Sequence, residues 1–506
     1  MQLSDISALV PEIILACVGM TILLLELVIK RKSVIAAFTL AGALAAILAL
    51  KTVPGAPFDG MFIGDPYSVF FKFVFLINLI FSVLISSKYL ESEGALRGEY
   101  YALLALATTG MMVMASAGDL ILLYLGLELM ALSTYILAGF VRHDFKGNEA
   151  AIKYFLMGAF SSAVLLYATS FVYGLTGTTN LRAIAEYISA NDVAKNPMLM
   201  VSIAMFIVSF GFKIAAAPFH MWAPDVYEGA PTPVTAFMSV GPKAAGFAVF
   251  ARVFMTAFPL QQIHWAYVLI PVAVLTMAVG SILAIQQTNI KRMLAYSSIA
   301  HAGYAMLGIV AGTQEGVSAM MNYMLIYVFM NVGAFSIVIM LRSAENGFQD
   351  ISDYQGLAKR RPMVAALMLI FMFSLTGIPP TAGFIGKFFI FKSLIQVGYI
   401  WPAVLAAVFS AVSAFFYLRI VMYVYMKPPK DEAEDEEHAV HAHSGSAHEA
   451  PAGFLKAPGD HSGIPAQEPF SPALGTAAVC AAAMSLIIGI LPQTFIEFAR
   501  AAVFGY

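Results

Sequence analysis

Long, continuous runs of apolar residues recur along nearly the whole chain. About fourteen of these runs are long enough to cross roughly 30 Å of hydrocarbon as an α-helix. Apolar and polar residues do not alternate within the runs, as they do in the strands of a membrane β-barrel. The pattern therefore predicts an all-α protein that crosses a membrane many times. The centres of the runs lie near Met20, Gly42, Ile77, Leu106, Glu128, Val164, Ile207, Lys243, Ala273, Ala302, Val328, Ile370, Val412 and Ser485.

The composition supports a membrane protein and argues against several other classes. Of the 506 residues, 60% are hydrophobic and 11% are charged, whereas about a quarter of the residues in soluble domains are charged. The formal net charge is −2 and no large basic block is present, so the chain lacks the electrostatic footprint of a nucleic-acid-binding protein. Cys17 and Cys480 both lie in apolar runs, which argues against a disulfide framework or a thiolate metal site. No GxGxxG nucleotide fingerprint, iron–sulfur cysteine set or haem motif is visible, so no cofactor is expected on this chain.

Lysine and arginine gather in alternate connections between the apolar runs. Residues 30–32, 291–292 and 359–361 are examples on one side, and the connections on the other side hold far fewer basic residues. Because cytoplasmic loops are enriched in Lys and Arg, these clusters mark the inside face. The alternation requires an even number of crossings and predicts that both termini lie outside.

Four ionisable residues lie in the middle of apolar runs: Glu128, Lys213, Lys243 and Lys387. Each costs about 2.5 to 3.5 kcal/mol at the centre of a membrane helix, so each needs a partner, a hydrated cavity or a function. All three lysines lie close to a proline, and a helix broken by proline is tolerated inside a membrane only where protein or water satisfies the freed backbone. The pattern indicates a hydrated polar site. The alternative for Glu128 and Lys213 is a buried ion pair that only fixes packing.

Other polar residues in or near the runs are weaker candidates. His220 and His301 lie near the ends of runs. The pKa of histidine is near neutrality, which suits a proton relay. A lone histidine is nevertheless more often a boundary or core residue. Lys72, Lys153 and Arg252 are close enough to an interface for their long side chains to reach it, and we keep Lys153 as a possible relay.

An internal repeat is suggested by two short segments, GFKIAAAPFH in the seventh run and GIPPTAGFIGK in the twelfth. Both combine glycine, proline and lysine, and they lie five runs apart, so the repeats are expected to be inverted in the membrane. We predict an N-terminal three-helix segment at 1–98, a first repeat at 99–260, a second at 261–426, a flexible acidic and histidine-rich linker at 427–472, and a last helix at 473–506. The linker has no fixed ligand spacing, so no metal site is expected there.

Three longer segments, GFKIAAAPFHMWAPDVYEGAPTPVTAF, NIKRMLAYSSIAHAGY and LTGIPPTAGFIGKF, resemble the antiporter-like membrane subunits of respiratory complex I. The resemblance extends over nearly the whole chain. It implies fourteen transmembrane helices with two inverted five-helix repeats and broken helices seven and twelve. It also implies that Glu128, Lys213, Lys243 and Lys387 take part in proton translocation.

The resemblance further implies a subunit of a proton-pumping NADH-quinone oxidoreductase in a bacterial inner membrane. NAD, FMN, iron–sulfur clusters and quinone are then expected in partner subunits, and the chain is expected to contact other membrane and peripheral subunits, including neighbouring antiporter-like ones. One alternative is a subunit of a multisubunit cation/proton antiporter or a membrane-bound hydrogenase. A different class is a scaffold subunit whose buried charges only hold the assembly together.

Overall fold

Helices account for nearly all of the regular structure in the computed structural model, which describes residues 3–52, 57–342, 349–429 and 471–503. No β-strand is formed within these ranges, although isolated bridges occur. Most of the predicted linker, at 430–470, lies outside the described residues. In chain order the described α-helices are α1 Leu3–Ala8, α2 Val10–Val28, α3 Lys32–Leu48, α4 Pro66–Ser92, α5 Gly98–Ser116, α6 Leu120–Ala138, α7 Phe145–Thr176, α8 Leu181–Ala190, α9 Pro197–Lys213, α10 Trp222–Gly229, α11 Thr232–Thr256, α12 Gln262–Ile285, α13 Ile290–Val310, α14 Gln314–Leu341, α15 Leu357–Arg360, α16 Pro362–Thr376, α17 Ala382–Gln396, α18 Ile400–Tyr425, α19 Pro472–Ile490 and α20 Gln493–Ala501.

The prediction of an all-α membrane protein is confirmed. Ten helices in the described part of the chain are long and apolar enough to span a membrane, and α3, α9 and α16 are shorter apolar helices. Each of the fourteen predicted run centres lies in a separate helix. The number of crossings and the inverted relation of the repeats stay predictions.

The helices differ in how much of their surface meets other helices. The most apolar windows of α11 and α13 are 100% buried inside the protein, whereas that of α18 is 28% buried. Exposed apolar side chains on helices such as α18 suit a lipid surface, because hydrocarbon is their natural environment in a membrane. Polar side chains on α11 and α13 must instead find their partners within the protein.

The seventh run is interrupted between α9 and α10, as predicted. The helix ends at Lys213, and Ala215 has a positive φ of 58°. The carbonyl of Phe212 accepts a hydrogen bond of 3.0 Å from the Trp222 indole, and the Ala217 amide donates to Thr276 Oγ1 at 2.9 Å. These bonds satisfy backbone groups that the end of a helix leaves without intrahelical partners.

The twelfth run is interrupted between α16 and α17. Gly377 follows the last helical residue with a φ of 89°, a left-handed conformation that glycine adopts without strain. The amide of Gly383, at the start of α17, donates to Ser374 Oγ at 3.2 Å. At both breaks, side chains therefore form hydrogen bonds with backbone groups.

Two cations that we expected to reach an interface are buried instead. Lys72 pairs with Glu12 of α2 at 2.7 Å, and the two side chains are 3% and 4% exposed. Arg252 donates to Asp65 at 2.8 Å and is buried as well. Burial raises the pKa of the Asp65 carboxyl, but the nearby Arg252 charge and its hydrogen bonds lower this pKa below its ordinary value. The expectation was wrong because each carboxylate comes from a segment distant in the sequence.

Candidate functional site

Glu128 and Lys213 approach each other from α6 and α9. Lys213 is 5% exposed, and Glu128 is half-buried at the middle of its helix. Their charges attract each other, yet neither Glu128 Oε1 nor Lys213 Nζ has a hydrogen-bond partner among the described residues. Both atoms are buried, and buried polar atoms normally have protein or water partners. Among the described residues, Glu128 and Lys213 therefore form an electrostatic pair without the direct hydrogen bond of a structural salt bridge.

Lys213 packs beside Gly246 of α11, which is about one helical turn along that helix from Lys243. A Cβ placed on Gly246 of α11 would lie 3.7 Å from the Cβ of Lys213 and 2.8 Å from Ile214 Cγ2. Gly246 therefore allows α9 to pack closely on α11. Since Gly246 follows Lys243 by three residues, it lies on a neighbouring part of the same helical face.

Lys243 is 2% exposed and follows Pro242 inside α11. Its Nζ donates to the carbonyl of Ser298 at 3.0 Å and also to the Ser298 hydroxyl. Pro242 has no amide hydrogen, so the carbonyl of Met238 loses its intrahelical partner. The Tyr227 hydroxyl donates to that carbonyl at 3.3 Å, and the Tyr227 ring lies 5.6 Å from Lys243 Nζ. The proline break and the lysine therefore share one polar neighbourhood.

His301 lies between Lys243 and Lys387 and interacts electrostatically with both. Its Nδ1 lies 2.5 Å from the hydroxyl of Tyr323, and its Nε2 lies 3.0 Å from the hydroxyl of Tyr417. The imidazole is 3% exposed and lies near the middle of α13, so the expectation that His301 lies near the end of a run was wrong. Each ring nitrogen thus faces a hydroxyl group that can donate or accept a hydrogen bond.

Lys387 is held by the second helix break. Its Nζ donates to the carbonyls of Thr376 at 2.8 Å and Leu375 at 3.3 Å, and to Ser410 Oγ at 2.9 Å. It also lies 4.8 Å from the centre of the Tyr304 ring. The two carbonyls belong to the last turn of α16, which carries partial negative charge, so they suit an ammonium group.

Side chains of helix α13 lie between Lys243 and Lys387 and contact both lysines. Ser298, His301 and Tyr304 follow each other at intervals of three residues, so they project from neighbouring positions on α13. Ser298 contacts Lys243 and Tyr304 contacts Lys387, with His301 between them. We call the following set the polar row: Glu128, Lys213, Lys243, Ser298, His301, Tyr304 and Lys387.

The two remaining candidates, Lys153 and His220, lie in different surroundings. The Lys153 side chain is 44% exposed and pairs with Glu149 at 2.8 Å and Asp225 at 3.0 Å. Burial raises the Asp225 pKa, but hydrogen bonds from Arg292 and Lys153 lower it below its ordinary value. His220 is half-buried in the break between α9 and α10, and its Nδ1 has no hydrogen-bond partner among the described residues. Lys153 therefore belongs to a surface ion-pair cluster.

The sequence analysis did not single out the hydroxyl groups of the site. Ser298 and Tyr304 share the spacing of His301 in SSIAHAGY, so this spacing is a signal that was available. Tyr323, Tyr417 and Ser410 come from other helices, and nothing in the sequence links them to the site. Within the described ranges, no group of three or more His, Cys, Asp or Glu side chains is placed to hold a metal ion.

Comparisons with known proteins agree with the resemblance stated above. A family model described as NADH:quinone oxidoreductase/Mrp antiporter, TM, matches residues 117–413, which include the whole polar row. NADH-quinone oxidoreductase subunit N of Trichlorobacter lovleyi is 44% identical over 507 residues, covering 99% of this chain and 98% of the relative. NADH-quinone oxidoreductase subunit N 2 of Rhizobium meliloti is 49% identical over 431 residues, covering 84% and 89%.

A solved structure shares the fold over almost the full length. A chain of respiratory complex I from Thermus thermophilus with bound aureothin is 31% identical, with a TM-score of 0.76, and the alignment covers 97% of this chain and 99% of that one. The similarity in sequence and structure therefore extends over nearly the whole chain. The chain belongs to the NADH-quinone oxidoreductase subunit N family, among the antiporter-like membrane subunits.

Proposed function

We propose that this chain is a proton-translocating membrane subunit of a bacterial NADH-quinone oxidoreductase and that the polar row carries the proton. The names of the 44% and 49% identical relatives support the first part. The second part rests on one observation: ionisable and hydroxyl-bearing side chains follow one another from α6 to α17 in a membrane protein, and the central ones lie on the fully buried helices α11 and α13. Groups that are so costly in this environment are retained for transport more often than for packing.

Lys213 is the proposed proton carrier, and Glu128 sets how strongly the lysine holds its proton. At an effective dielectric constant of about 20, moving the two charges from about 4 Å to about 10 Å apart weakens their attraction by roughly 2.5 kcal/mol. A small movement of α6 against α9 would therefore release the proton. The absence of a direct hydrogen bond between described partners leaves Lys213 Nζ available to donate elsewhere.

From Lys213 the proposed route continues to Lys243 and through α13 to Lys387. His301 can accept a proton at one ring nitrogen and release one from the other, because each nitrogen faces a tyrosine hydroxyl. No bond other than those to hydrogen is made or broken in this relay. The route does not require Lys153, and His220 is a side position near the first break.

The chain needs partners to drive transport. Moving one proton against 100 mV requires about 2.3 kcal/mol, and the sequence carries no motif for a redox cofactor that would release this energy. We propose that partner subunits bind NAD, FMN, iron–sulfur clusters and quinone, and that quinone reduction moves the polar groups of this chain. Both termini are proposed to lie outside the inner membrane, with the repeats at 99–260 and 261–426.

A cation/proton antiporter or a membrane-bound hydrogenase is the alternative transport assignment, and the family model also covers Mrp antiporters. Sodium transport calls for several oxygen ligands around the ion. Glu128 is the one carboxylate in the polar row, and three amines accompany it, so the row favours protons over sodium. Co-purification with NADH-binding and iron–sulfur subunits distinguishes the two assignments.

The test uses Lys213→Ala in the complete complex, reconstituted into liposomes. Proton uptake and NADH oxidation are followed in the same sample, with Lys195→Ala, an exposed lysine outside the polar row, as the control. We expect proton uptake to fall at least about tenfold in Lys213→Ala and to stay normal in the control. Unchanged proton uptake by a fully assembled Lys213→Ala complex would assign the chain to the scaffold class.

A further inference from the structure

The short helix α10 lies between two interrupted helical segments and contacts both interruptions. It follows the break at the end of α9, where Lys213 lies, and it precedes α11, in which Pro242 comes directly before Lys243. Trp222 is the first residue of α10 and Tyr227 is the sixth, and both side chains are buried. Each of these two aromatic residues contacts a different interruption.

Trp222 holds the end of α9. Its indole N–H donates to the carbonyl of Phe212 at 3.0 Å, and the two rings lie 5.4 Å apart. The Phe212 ring in turn lies 5.7 Å from Lys213 Nζ. The indole also stacks on Tyr154 of α7, with ring centres 4.6 Å apart and 13° between the planes. A ring that is stacked on one face and hydrogen-bonded at its edge has little freedom to rotate, so Trp222 fixes the residue next to Lys213.

Tyr227 holds the interruption in α11. Its hydroxyl donates at 3.3 Å to the carbonyl of Met238, which Pro242 leaves without an intrahelical donor. The Tyr227 ring lies 5.6 Å from Lys243 Nζ. It also meets the Trp222 ring edge to face, with centres 5.7 Å apart and planes at 88°. The surroundings of the two lysines are therefore joined by two side chains of one helix that contact each other.

Polar contacts with α13 fix α10 in turn. Lys291 Nζ donates to the carbonyls of Glu228 and Ala230, each at 2.7 Å, at the end of α10. Arg292 pairs with Asp225 at 2.8 Å and with Glu228 at 2.9 Å. These bonds hold the short helix against α13, so it can keep Trp222 and Tyr227 at fixed places between α9 and α11.

The position of Lys213 depends on its helix end. Its ammonium forms no hydrogen bond to a described residue, so such a bond does not hold it in place. A proton passes between two groups only over hydrogen-bond distances, directly or through a water molecule. A misplacement of about 1 Å can slow such a step about a hundredfold. The step between Lys213 and Lys243 therefore needs a part of the structure that sets their separation.

We infer that α10 is this spacer: Trp222 and Tyr227 are positioning residues that set the separation of Lys213 and Lys243 for the transfer of a proton between them. Neither aromatic residue takes up the proton, and no bond other than those to hydrogen changes. This inference rests on the proposed function, since it names the residues that fix the geometry of one step in the proposed route.

The first experiment compares two tryptophan variants in complete complexes reconstituted into liposomes. Trp222→Phe removes the indole donor and keeps an aromatic ring. Trp265→Phe is the matched control, because Trp265 is 1% exposed and its indole also donates to a carbonyl, that of Phe258, at 3.1 Å. We expect proton uptake to fall at least about fivefold in Trp222→Phe and to change less than about twofold in the control. Equal decreases in the two variants would assign Trp222 to packing alone and overturn the inference.

The second experiment removes single hydroxyl groups. Tyr227→Phe is expected to lower proton uptake at least about threefold. Tyr67→Phe is the matched control, since Tyr67 is buried and its hydroxyl also donates to a carbonyl of α11, that of Ala248, at 2.8 Å. The double variant of Trp222 and Tyr227 should resemble Trp222→Phe, because both residues act through one helix. Effects that multiply in the double variant would contradict a single spacer.

A solvent isotope effect separates positioning from a general loss of structure. Proton uptake by assembled complexes is measured in H2O and in D2O. Lengthening the path between the lysines slows a proton transfer, so we expect the isotope effect to increase at least about 1.5-fold in Trp222→Phe and Tyr227→Phe. A smaller fraction of active complex lowers the rate in both solvents equally. An unchanged isotope effect in both variants would therefore overturn the inference.

These measurements also separate the inference from the proposed function. If Lys213→Ala lowers proton uptake while Trp222→Phe and Tyr227→Phe behave like their controls, the spacer is rejected and the proposed function stands. If Lys213→Ala has no effect, no proton passes through this lysine, and both the proposed function and the spacer are rejected.

Discussion

Lys213 and Lys387 both lie beside an interrupted helix, yet their ammonium groups have different partners. Lys213 Nζ makes no hydrogen bond to a described residue and interacts with the charge of Glu128. Lys387 Nζ donates to two carbonyls at the end of α16 and to Ser410 Oγ. Two sequence segments that look like copies of each other therefore hold their lysines in different ways.

The difference follows from how each break satisfies its backbone. At the first break, the carbonyl of Phe212 accepts hydrogen bonds from the Ala215 amide and the Trp222 indole, so it does not need the lysine as a donor. At the second break, Lys387 itself occupies the free carbonyls of Leu375 and Thr376. Among the described residues, the Lys213 ammonium thus forms no hydrogen bond at its break, whereas the Lys387 ammonium is part of the structure of its break.

The largest expected effect is a difference in stability between a variant of Lys387 and a variant of Lys213. Lys387→Met leaves the Leu375 carbonyl without its donor and the Thr376 carbonyl with only a 3.5 Å bond from Ser410 Oγ, and is expected to destabilise the subunit by about 2 to 4 kcal/mol. Lys213→Met removes an ammonium that has no hydrogen bond to a described residue and is expected to change stability by less than about 1 kcal/mol. The measurement is the temperature at which this subunit aggregates in the purified complex, read by mass spectrometry of the soluble fraction. Equal losses for the two variants would contradict the comparison.

The second-largest effect is expected for Glu128, the carboxylate that lies opposite Lys213 at the first break. Glu128→Gln removes the charge opposite Lys213, and we expect proton uptake to fall about tenfold with little change in stability. Glu186→Gln, on the exposed side of α8, is the control and should behave like the unmodified complex. Normal proton uptake in Glu128→Gln would mean that Lys213 works without a partner charge.

A smaller effect is expected when one anchor of Lys387 is removed. Ser410→Ala deletes one of three hydrogen bonds and leaves both carbonyls in place, so the expected cost is about 1 kcal/mol. Proton uptake should fall less than about threefold, because the lysine keeps its position. A loss as large as that of Lys387→Met would show that the hydroxyl, and not the backbone, holds the lysine.

The smallest effect is expected at Lys153, which lies outside both breaks. Its side chain is 44% exposed and pairs with Glu149 and Asp225, and exposed ion pairs contribute about 0 to 1 kcal/mol. Lys153→Met should change proton uptake by less than about twofold. A decrease comparable to that of Glu128→Gln would place Lys153 in the transport route after all.

Much of the fold and half of the site are predictable because charges are expensive in hydrocarbon. This cost alone identifies Glu128, Lys213, Lys243 and Lys387 in the sequence, and the nearby prolines predict both helix breaks. The hydroxyl groups are different, because serine and tyrosine are tolerated in many membrane helices for ordinary reasons. The contact of Tyr417 with His301 joins residues 116 positions apart, and no local pattern reports it.

The same limit explains the incorrect expectation for Lys72 and Arg252. The length of a lysine or arginine side chain indicates that it can reach an interface. Whether it does so depends on a carboxylate such as Glu12 or Asp65 that the fold brings close. Sequence patterns therefore locate costly groups well and their partners poorly.

The central claim is that a hydrated polar row joins Glu128 to Lys387. A high-resolution cryo-electron microscopy map of the complete complex tests it most directly, because ordered waters appear as separate density. We expect water density at Lys213 Nζ, between Lys213 and Lys243, and between His301 and Lys387. Dry apolar packing at these three places, with Lys213 and Lys243 separated by side chains that exclude water, would contradict the claim.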